Sequence, residues 1–142
     1  MPTRTADAVW NGSLLEGKGT LTTGSKTLNV PYDWKARAGD GAGTNPEELI
    51  AAAHAGCFSM ALSHMLSTAG HVPTKIQTSA KVNFEKVGDG FAITGIALTT
   101  EGQVPGLDDA GFQKFANQAK EGCPVSKALK ATPITLTAKL VK

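Results

Sequence analysis

Residues 44–60 read TNPEELIAAAHAGCFSM, and the other predicted elements of the chain are arranged around this segment. Asn45 is a favourable N-cap residue, Pro46 suits the first helical position, and Glu48 completes a pattern that resembles a capping box. A capping role for Glu48 leaves the neighbouring Glu47 free for another function. The stretch therefore predicts a helix that begins at Pro46 and carries one cysteine, Cys57, in the middle of an apolar run.

The predicted helix runs to about Thr68, where Gly70 can end it. Its interior is rich in Ala, Gly and Ser, whose small side chains let another backbone approach closely. Because the helix is apolar on almost every side, it must be covered on several sides. A chain of this size rarely encloses so long a helix alone, so we expect a homodimer in which this helix packs against its symmetry mate.

Strands are predicted on both sides of the central helix, which indicates an α+β fold. Before the helix, turns at Asn11-Gly12 and at residues 24–26 separate short strands, one of which contains Leu14 and Leu15. Residues 32–43 contain several glycines, and we interpret them as an irregular loop without a phosphate-binding motif. Loops of this kind often bring functional side chains to a rigid scaffold, although a solvated connector is an equal alternative.

After the helix, alternating apolar residues predict a β-hairpin that turns at residues 88–90, with a bulge near Gly95. The remaining elements are a second helix from Asp108 or Asp109 to Gly122, a short helix opened by Cys123-Pro124, and a half-buried strand from Ile134 to Leu140. The spacing of Phe112, Phe115, Ala116 and Ala119 sets the apolar face of the second helix.

The length of 142 residues fits a single domain over residues 1–142. A net charge of +2, scattered along the chain, gives no reason to expect nucleic acid as a partner. We interpret residues 49–66, the longest apolar run, as a core helix and expect no membrane partner. The first residues contain no signal-peptide pattern, so we expect a cytoplasmic location, where a cysteine pair is more often redox-active or structural than a permanent disulfide.

Cys57 is the first candidate for chemistry, but the helix that carries it cannot activate it. A thiol reacts as the thiolate, burial raises its pKa, and the helix dipole fades within the first turn, whereas Cys57 lies about three turns in. A reactive Cys57 therefore needs a cation, and Arg37 in the Gly-rich loop is the nearest candidate in sequence. A buried arginine needs a carboxylate to orient it, and Glu47 is the obvious choice. The alternative is an inert core cysteine.

Cys123 precedes Pro124 at a helix start, where free N–H groups can stabilise a thiolate. On local physics it is the more acidic thiol, although a half-buried capping cysteine is an equal alternative. A zinc site in which Cys123 joins His54, Cys57 and His64 is disfavoured, because Cys57 and His64 lie about two turns apart. A Cys–His dyad of protease type lacks a visible orienting group and oxyanion hole. No metal or other cofactor is expected.

Residues 43–62 and residues 119–129 together resemble the two cysteine motifs of the OsmC/Ohr family of thiol-dependent peroxidases, on its OsmC branch. The Trp10-Asn11-Gly12 start and the hairpin over residues 86–94 resemble that family as well. The resemblance implies an intertwined α+β homodimer, with two long central helices packed antiparallel and a six-stranded, mostly antiparallel sheet on each side.

The resemblance also implies an activity, the reduction of organic hydroperoxides and, more weakly, of hydrogen peroxide in oxidative or osmotic stress defence. By motif position Cys57 is the peroxidatic cysteine, Cys123 the resolving cysteine, Arg37 the thiolate-stabilising cation and Glu47 the residue that orients it. A dithiol, of lipoyl type or another small or protein dithiol, would reduce the resulting disulfide. No metal, haem or flavin is required.

Two alternatives remain open on the same residues. The protein could be a redox sensor or a ligand-binding dimer that uses the same cysteine pair without steady-state turnover. It could also be a structural dimer with inert thiols, which predicts no peroxide-dependent disulfide.

Overall fold

The computed structural model describes residues 1–142 and contains two three-stranded sheets. The elements in chain order are β1 (Ala6–Asn11), β2 (Lys18–Thr23), β3 (Asn29–Tyr32), α1 (Trp34–Ala38), α2 (Pro46–Thr68), β4 (Lys75–Val87), β5 (Gly90–Gln103), α3 (Asp109–Gly122), α4 (Pro124–Ala128) and β6 (Ile134–Val141). The α+β fold class is therefore as predicted. Backbone contacts divide the chain into two units, residues 1–49 and residues 50–142. The single domain remains a prediction.

The first unit holds the antiparallel sheet β1-β2-β3. Trp10 of β1 packs against Tyr32 of β3, with ring centroids 5.3 Å apart. The predicted strand through Leu14 and Leu15 is wrong, because these residues lie in a turn between β1 and β2. The N–H of Gly17 donates to the Ser13 carbonyl at 2.8 Å and closes that turn. Two adjacent leucines therefore mark an exposed turn here rather than a strand.

The loop prediction for residues 32–43 missed the short helix α1. Asp33 caps it, since its Oδ1 accepts a hydrogen bond from the Ala36 N–H at 2.7 Å. The N–H of Gly39 then donates to the Lys35 carbonyl at 3.0 Å and ends the helix. Five residues are too few for a clear apolar period, so the local capping signal was the only one present in the sequence.

Both ends of α2 confirm the prediction. Asn45 Oδ1 accepts a hydrogen bond from the Glu48 N–H at 2.8 Å, as an N-cap does. At the other end Gly70 has a φ of +87°, and the N–H of His71 donates to the Leu66 carbonyl at 2.8 Å. These are the left-handed residue and the long backbone hydrogen bond of a Schellman motif, which explains why a glycine stands there.

Within the chain, α2 is covered on one side only. Phe58, Leu62 and Leu66 are fully buried, whereas Met60 is 76% exposed. By length and composition α2 could also cross a membrane, a property that the core helices of soluble proteins share, and only 22% of its most apolar 18-residue window is buried. The all-round burial predicted from sequence is therefore absent within one chain.

The second unit builds its sheet from the β4–β5 hairpin and the C-terminal strand. The predicted bulge is confirmed: the register shifts so that Asn83 faces Gly95 and Phe84 faces Ile93, which leaves Thr94 as the extra residue. β6 pairs with β5 in parallel, because α3 and α4 carry the chain back to the same end of the sheet. The sheet is therefore mixed, in keeping with a mostly antiparallel prediction.

The apolar core of this unit joins α2 and α3 to the sheet. The predicted second helix is confirmed, with Asp108 as its N-cap and its Oδ1 accepting from the Gly111 N–H at 2.8 Å. The buried core residues are Phe58, Leu62, Leu66, Leu98, Val104, Phe112, Ala116, Ala119 and Cys123. One of the two cysteines is thus part of the core itself.

Gly102 of β5 is required for this packing. A Cβ at Gly102 would come within 2.7 Å of Cζ of the fully buried Phe112. We expect Gly102→Ala to lower the free energy of unfolding by about 1–3 kcal/mol, as overpacked core sites do. Gly90→Ala in the same strand, where a Cβ meets nothing within 4 Å, is the control and should change stability by less than about 0.5 kcal/mol. Urea unfolding measures both, and equal losses would contradict the clash.

Candidate active site

The two cysteines of the chain meet in the second unit. Cys57 is half-buried on α2, Cys123 is fully buried before α4, and neither forms a disulfide. The S–H of Cys123 donates to the sulfur of Cys57 across 2.8 Å. A disulfide bond is about 2.05 Å long, so a bond between them needs only a small approach of the two sulfurs.

Pro124 places Cys123 at this position. A residue before proline is pushed out of the helical region, and Cys123 is extended, with φ −58° and ψ 127°. Cys123 therefore ends α3, where its N–H donates to the Ala119 carbonyl at 2.9 Å, and also precedes α4. The side chain makes no capping hydrogen bond and is directed to Cys57 instead. The alternative of a half-buried capping cysteine is wrong, because core packing buries Cys123 completely and its side chain caps no helix.

The surroundings of Cys57 keep its thiol protonated. Burial is the largest effect and raises the pKa of Cys57, and the hydrogen bond with Cys123 raises it further. A hydrogen bond from the backbone of Val125, in the first turn of α4, lowers it in part. Sequence reasoning anticipated free N–H groups at this helix start but assigned them to Cys123. These groups together raise the pKa of Cys57, so a reactive thiolate at neutral pH would need further positive charge nearby.

Arg37 and Glu47 form a bidentate ion pair in the first unit. Nη2 of Arg37 donates to Oε1 of Glu47 at 2.7 Å, and Nε donates to Oε2 at 3.1 Å. The Glu47 side chain is 7% exposed and the Arg37 side chain 35% exposed. Paired donors and acceptors of this kind fix the guanidinium plane as well as its position. The carboxylate can therefore aim the remaining edge of the guanidinium.

The start of α2 separates the two glutamates that the capping pattern distinguished. The predicted capping box is only half formed: the Glu48 N–H donates to Asn45, whereas the exposed Glu48 side chain takes no part in the cap. The other side-chain atom of Asn45, Nδ2, donates to the Ala36 carbonyl at 2.9 Å. Asn45 therefore ties α1, which carries Arg37, to the first turn of α2, which carries Glu47. The ion pair rests on two elements joined by a shared cap.

An aromatic cavity of about 230 Å³ opens beside Arg37 in the same unit. Its lining consists of Trp10, Leu14, Tyr32, Asp33, Trp34, Arg37 and Pro46. Such a cavity, apolar on most sides with one cation, suits a small organic molecule that ends in a polar group. The scattered aromatic residues gave no sign of it in the sequence, because β1, β3 and α1 bring them together only in the fold.

The structure therefore brings Arg37 to Glu47 and Cys57 to Cys123. Each pair lies within one unit, residues 1–49 for the first and residues 50–142 for the second. The expectation that Arg37 stabilises the Cys57 thiolate stays a prediction. No group of three or more His, Cys, Asp or Glu side chains is arranged to hold a metal ion among residues 1–142.

The three histidines have different surroundings. His64 is exposed, whereas His71 is half-buried with its ring 6.5 Å from that of Phe115. His54 is fully buried, and its Nε2 lies 2.7 Å from Oγ of Ser126. Burial lowers the pKa of His54, so its ring is neutral. Sequence reasoning missed Ser126, whose only signal is its spacing of three residues from Cys123.

Comparison with known proteins agrees with this architecture. A family model described as OsmC-like protein matches residues 39–139. The chain is 55% identical over 125 residues to the peroxiredoxin OsmC of Escherichia coli, with 87% of each chain covered. It is 32% identical over 112 residues to an organic hydroperoxide resistance protein of Xanthomonas axonopodis, with 78% of this chain and 75% of the relative covered.

Solved structures show the same fold. The organic hydroperoxide resistance protein OhrB of Bacillus subtilis superposes with a TM-score of 0.72 at 30% identity, covering 96% of this chain and 98% of that one. A protein of the same description from Elizabethkingia anophelis superposes with a TM-score of 0.79 at 24% identity and 99% coverage of each chain. The matching family model, this α+β fold and the two cysteines in contact together define the class of protein. The chain belongs to the OsmC family.

Proposed function

We propose that this protein is a thiol-dependent peroxidase that reduces organic hydroperoxides and, more weakly, hydrogen peroxide. The observation that carries the proposal is the contact between the Cys57 and Cys123 sulfurs at 2.8 Å. It occurs in a chain 55% identical to a protein named peroxiredoxin. A stress-defence role follows from that activity, because organic hydroperoxides are damaging oxidants.

In the first half of the reaction, the Cys57 thiolate attacks one oxygen of the hydroperoxide. The S–O bond forms as the O–O bond breaks, and the leaving alkoxide takes a proton to become an alcohol. Cys57 is thereby oxidised to a sulfenic acid while the peroxide is reduced. We assign the stabilisation of the thiolate to Arg37, because burial raises the pKa of Cys57 and Arg37 is already held in one plane by Glu47.

In the second half, Cys123 attacks the sulfenic sulfur of Cys57. The S–S bond forms, the hydroxyl leaves with the Cys123 proton as water, and the pair becomes an intramolecular disulfide. A dithiol then reduces this disulfide by two exchange steps and is itself oxidised to a disulfide. Two adjacent thiols are required of the reductant, as in a lipoyl group or in a small or protein dithiol. We place this cycle in the cytoplasm, where thiols are kept reduced.

The proposal includes a homodimer. Each chain supplies two separate three-stranded sheets, so the expected six-stranded sheets require strands of both chains. α2 leaves most of its apolar surface uncovered, including the exposed Met60, and an apolar helix face of this size calls for a partner. A second α2, rich in small residues, is the partner with the matching surface.

We expect Met60→Asp to weaken the dimer by at least about a hundredfold, because an unpaired carboxylate buried between two helices costs several kcal/mol. Light scattering over a dilution series measures the dissociation. Val87→Asp, at an exposed valine beside the β4–β5 turn, is the control and should leave the dimer unchanged. A wild-type protein that is monomeric at high concentration would contradict the proposed assembly.

Steady-state turnover tests the proposed activity. The protein, an alkyl hydroperoxide and a dithiol such as dihydrolipoamide are mixed, and peroxide consumption is followed over many equivalents. We expect many turnovers with the alkyl hydroperoxide and a slower reaction with hydrogen peroxide. A single equivalent consumed with every dithiol would favour the redox sensor, and no peroxide-dependent disulfide would favour the inert structural dimer.

A further inference from the structure

We infer that the buried hydrogen bond between His54 and Ser126 is a positioning pair that holds Cys57 and Cys123 in place for disulfide formation. The inference rests on the proposed roles of the two cysteines. It concerns a contact that takes no part in the chemistry proposed above and that joins the two segments carrying the thiols.

Chain spacing places the hydrogen bond directly beside the two sulfurs. His54 precedes Cys57 by three residues on α2, about one turn, so both side chains lie on one face. Ser126 follows Cys123 by three residues in the first turn of α4. The bond between Nε2 and Oγ, at 2.7 Å, and the contact between the sulfurs, at 2.8 Å, therefore bridge the same two segments.

α4 needs such an anchor, because a helix of five residues has no stability of its own. Its first turn contributes the backbone hydrogen bond of Val125 to Cys57, and the residue before it is Cys123. Ser126 is the next residue, 4% exposed, and it is bonded to the fully buried His54. With water excluded from both partners, this bond sets the position of α4 against α2 more firmly than an exposed one would.

The packing of His54 does not account for the choice of a histidine. Its Nδ1 is the buried side-chain N or O atom that has no hydrogen-bond partner. Leaving such an atom unpaired in the core is unfavourable, and a leucine at the same place would avoid this cost. A residue that retains this unfavourable atom in the core must contribute through its other nitrogen, and Nε2 contacts Ser126.

The consequence for the reaction is a competition at the Cys57 sulfenic acid. In one branch Cys123 displaces water and forms the disulfide. In the other, a second hydroperoxide oxidises the sulfenic acid to a sulfinic acid and leaves as an alcohol, which inactivates the site. Holding Cys123 beside Cys57 favours the first branch. The pair thus determines how much peroxide the enzyme withstands, without contacting the peroxide.

Ser126→Ala tests the inference through a redox equilibrium that needs no peroxide. Wild type and variant are equilibrated with glutathione redox buffers, and the Cys57–Cys123 disulfide is quantified by thiol labelling. We expect the disulfide equilibrium constant to fall about tenfold, a rise in potential of about 30 mV, because the freed thiols lose their mutual orientation. Ser59→Ala is the matched control, because Ser59 Oγ also makes a 2.7 Å hydrogen bond from α2, but to Thr78 of β4.

The peroxide arm measures the competition directly. Mass spectrometry gives the hydroperoxide concentration at which half of Cys57 becomes sulfinic acid in one turnover. We expect this concentration to fall about tenfold in Ser126→Ala and to stay within about twofold in Ser59→Ala. When Ser126→Ala is added to Cys123→Ser, formation of the Cys57 sulfenic acid can be measured alone. We expect Ser126→Ala to slow this step less than it slows disulfide formation in a protein that keeps Cys123.

A double-mutant cycle with His54→Leu isolates the pair, since Ser126→Ala should have no further effect once His54 is replaced. An unchanged potential in Ser126→Ala, a potential lowered rather than raised, or an equal shift in Ser59→Ala would overturn the inference. If the wild-type disulfide equilibrates with glutathione but peroxide never forms it, the proposed function falls while the glutathione result still decides the positioning role. If no wild-type disulfide forms under any oxidant, both fall.

Discussion

Cys57→Ser is expected to abolish hydroperoxide consumption, reducing the rate by at least about a thousandfold to the level of free thiols in solution. Serine keeps the size of the side chain but has no accessible anion at neutral pH, so the S–O bond cannot form. Single-turnover consumption of an alkyl hydroperoxide, followed with the reduced protein alone, measures the loss. Circular dichroism should be unchanged, because Cys57 lies partly exposed at the edge of the core and serine is of similar size.

Cys123→Ser is the comparison that makes this result specific. The variant should consume one equivalent of peroxide and leave Cys57 as a sulfenic acid, which mass spectrometry after trapping with a cyclic diketone detects. Steady-state turnover with a dithiol should be lost or much reduced. The reverse pattern, an inactive Cys123→Ser and a Cys57→Ser protein that reacts once, would exchange the two roles. It would favour the local argument that a thiol before a helix start is the more acidic one.

Glu47→Gln is expected to slow the reaction of Cys57 with hydroperoxide by about tenfold to a hundredfold at neutral pH. The amide cannot bind Arg37 with two charged oxygens, so the guanidinium loses the orientation that the pairs at 2.7 Å and 3.1 Å give it. Without the oriented cation the pKa of the Cys57 thiol rises, and a higher pKa lowers the thiolate fraction at any fixed pH below it. Stopped-flow single-turnover rates measure it.

The pH profile and a neighbouring glutamate distinguish this mechanism from general damage. Burial already places the Cys57 pKa above its ordinary value, and loss of the oriented cation should move it further up. The rate of Glu47→Gln should therefore recover as the pH is raised, while Glu48→Gln, at the exposed capping position, should match wild type throughout. A Glu47→Gln rate that is low at every pH would indicate a misfolded site. An unchanged rate would show that Glu47 and Arg37 do not stabilise the Cys57 thiolate.

The sequence predicted those parts of the fold whose signals are local. Both ends of α2 follow from Asn45 and Gly70, because a cap and a left-handed glycine act within one turn. The face of α3 and the bulge beside Gly95 follow from side-chain periodicity. At the site, the sequence suggested Glu47 as the partner of Arg37, and the two residues form the expected ion pair. The reason given for excluding Glu48 is wrong, because its side chain takes no part in the cap.

Features that arise from long-range packing could not be read in advance. The parallel pairing of β6 with β5 depends on where α3 and α4 deliver the chain. The bond from the Val125 backbone to Cys57 and the hydrogen bond between His54 and Ser126 join residues about 70 positions apart, and no local pattern marks either. The helix α1 was missed for the opposite reason, since it is too short to show a period.

The parallel strand pair also sets an order of events as the chain folds. β4 and β5 are joined by a two-residue turn, so their hairpin can close early and locally. Ile134 of β6 pairs with Ile96 of β5 across α3 and α4, and this closure must wait for the whole crossover. Cys123 travels on that crossover and meets Cys57 across 66 positions of sequence. A chain emerging from the ribosome therefore exposes Cys57 without its partner cysteine until the crossover before the last strand, β6, is made.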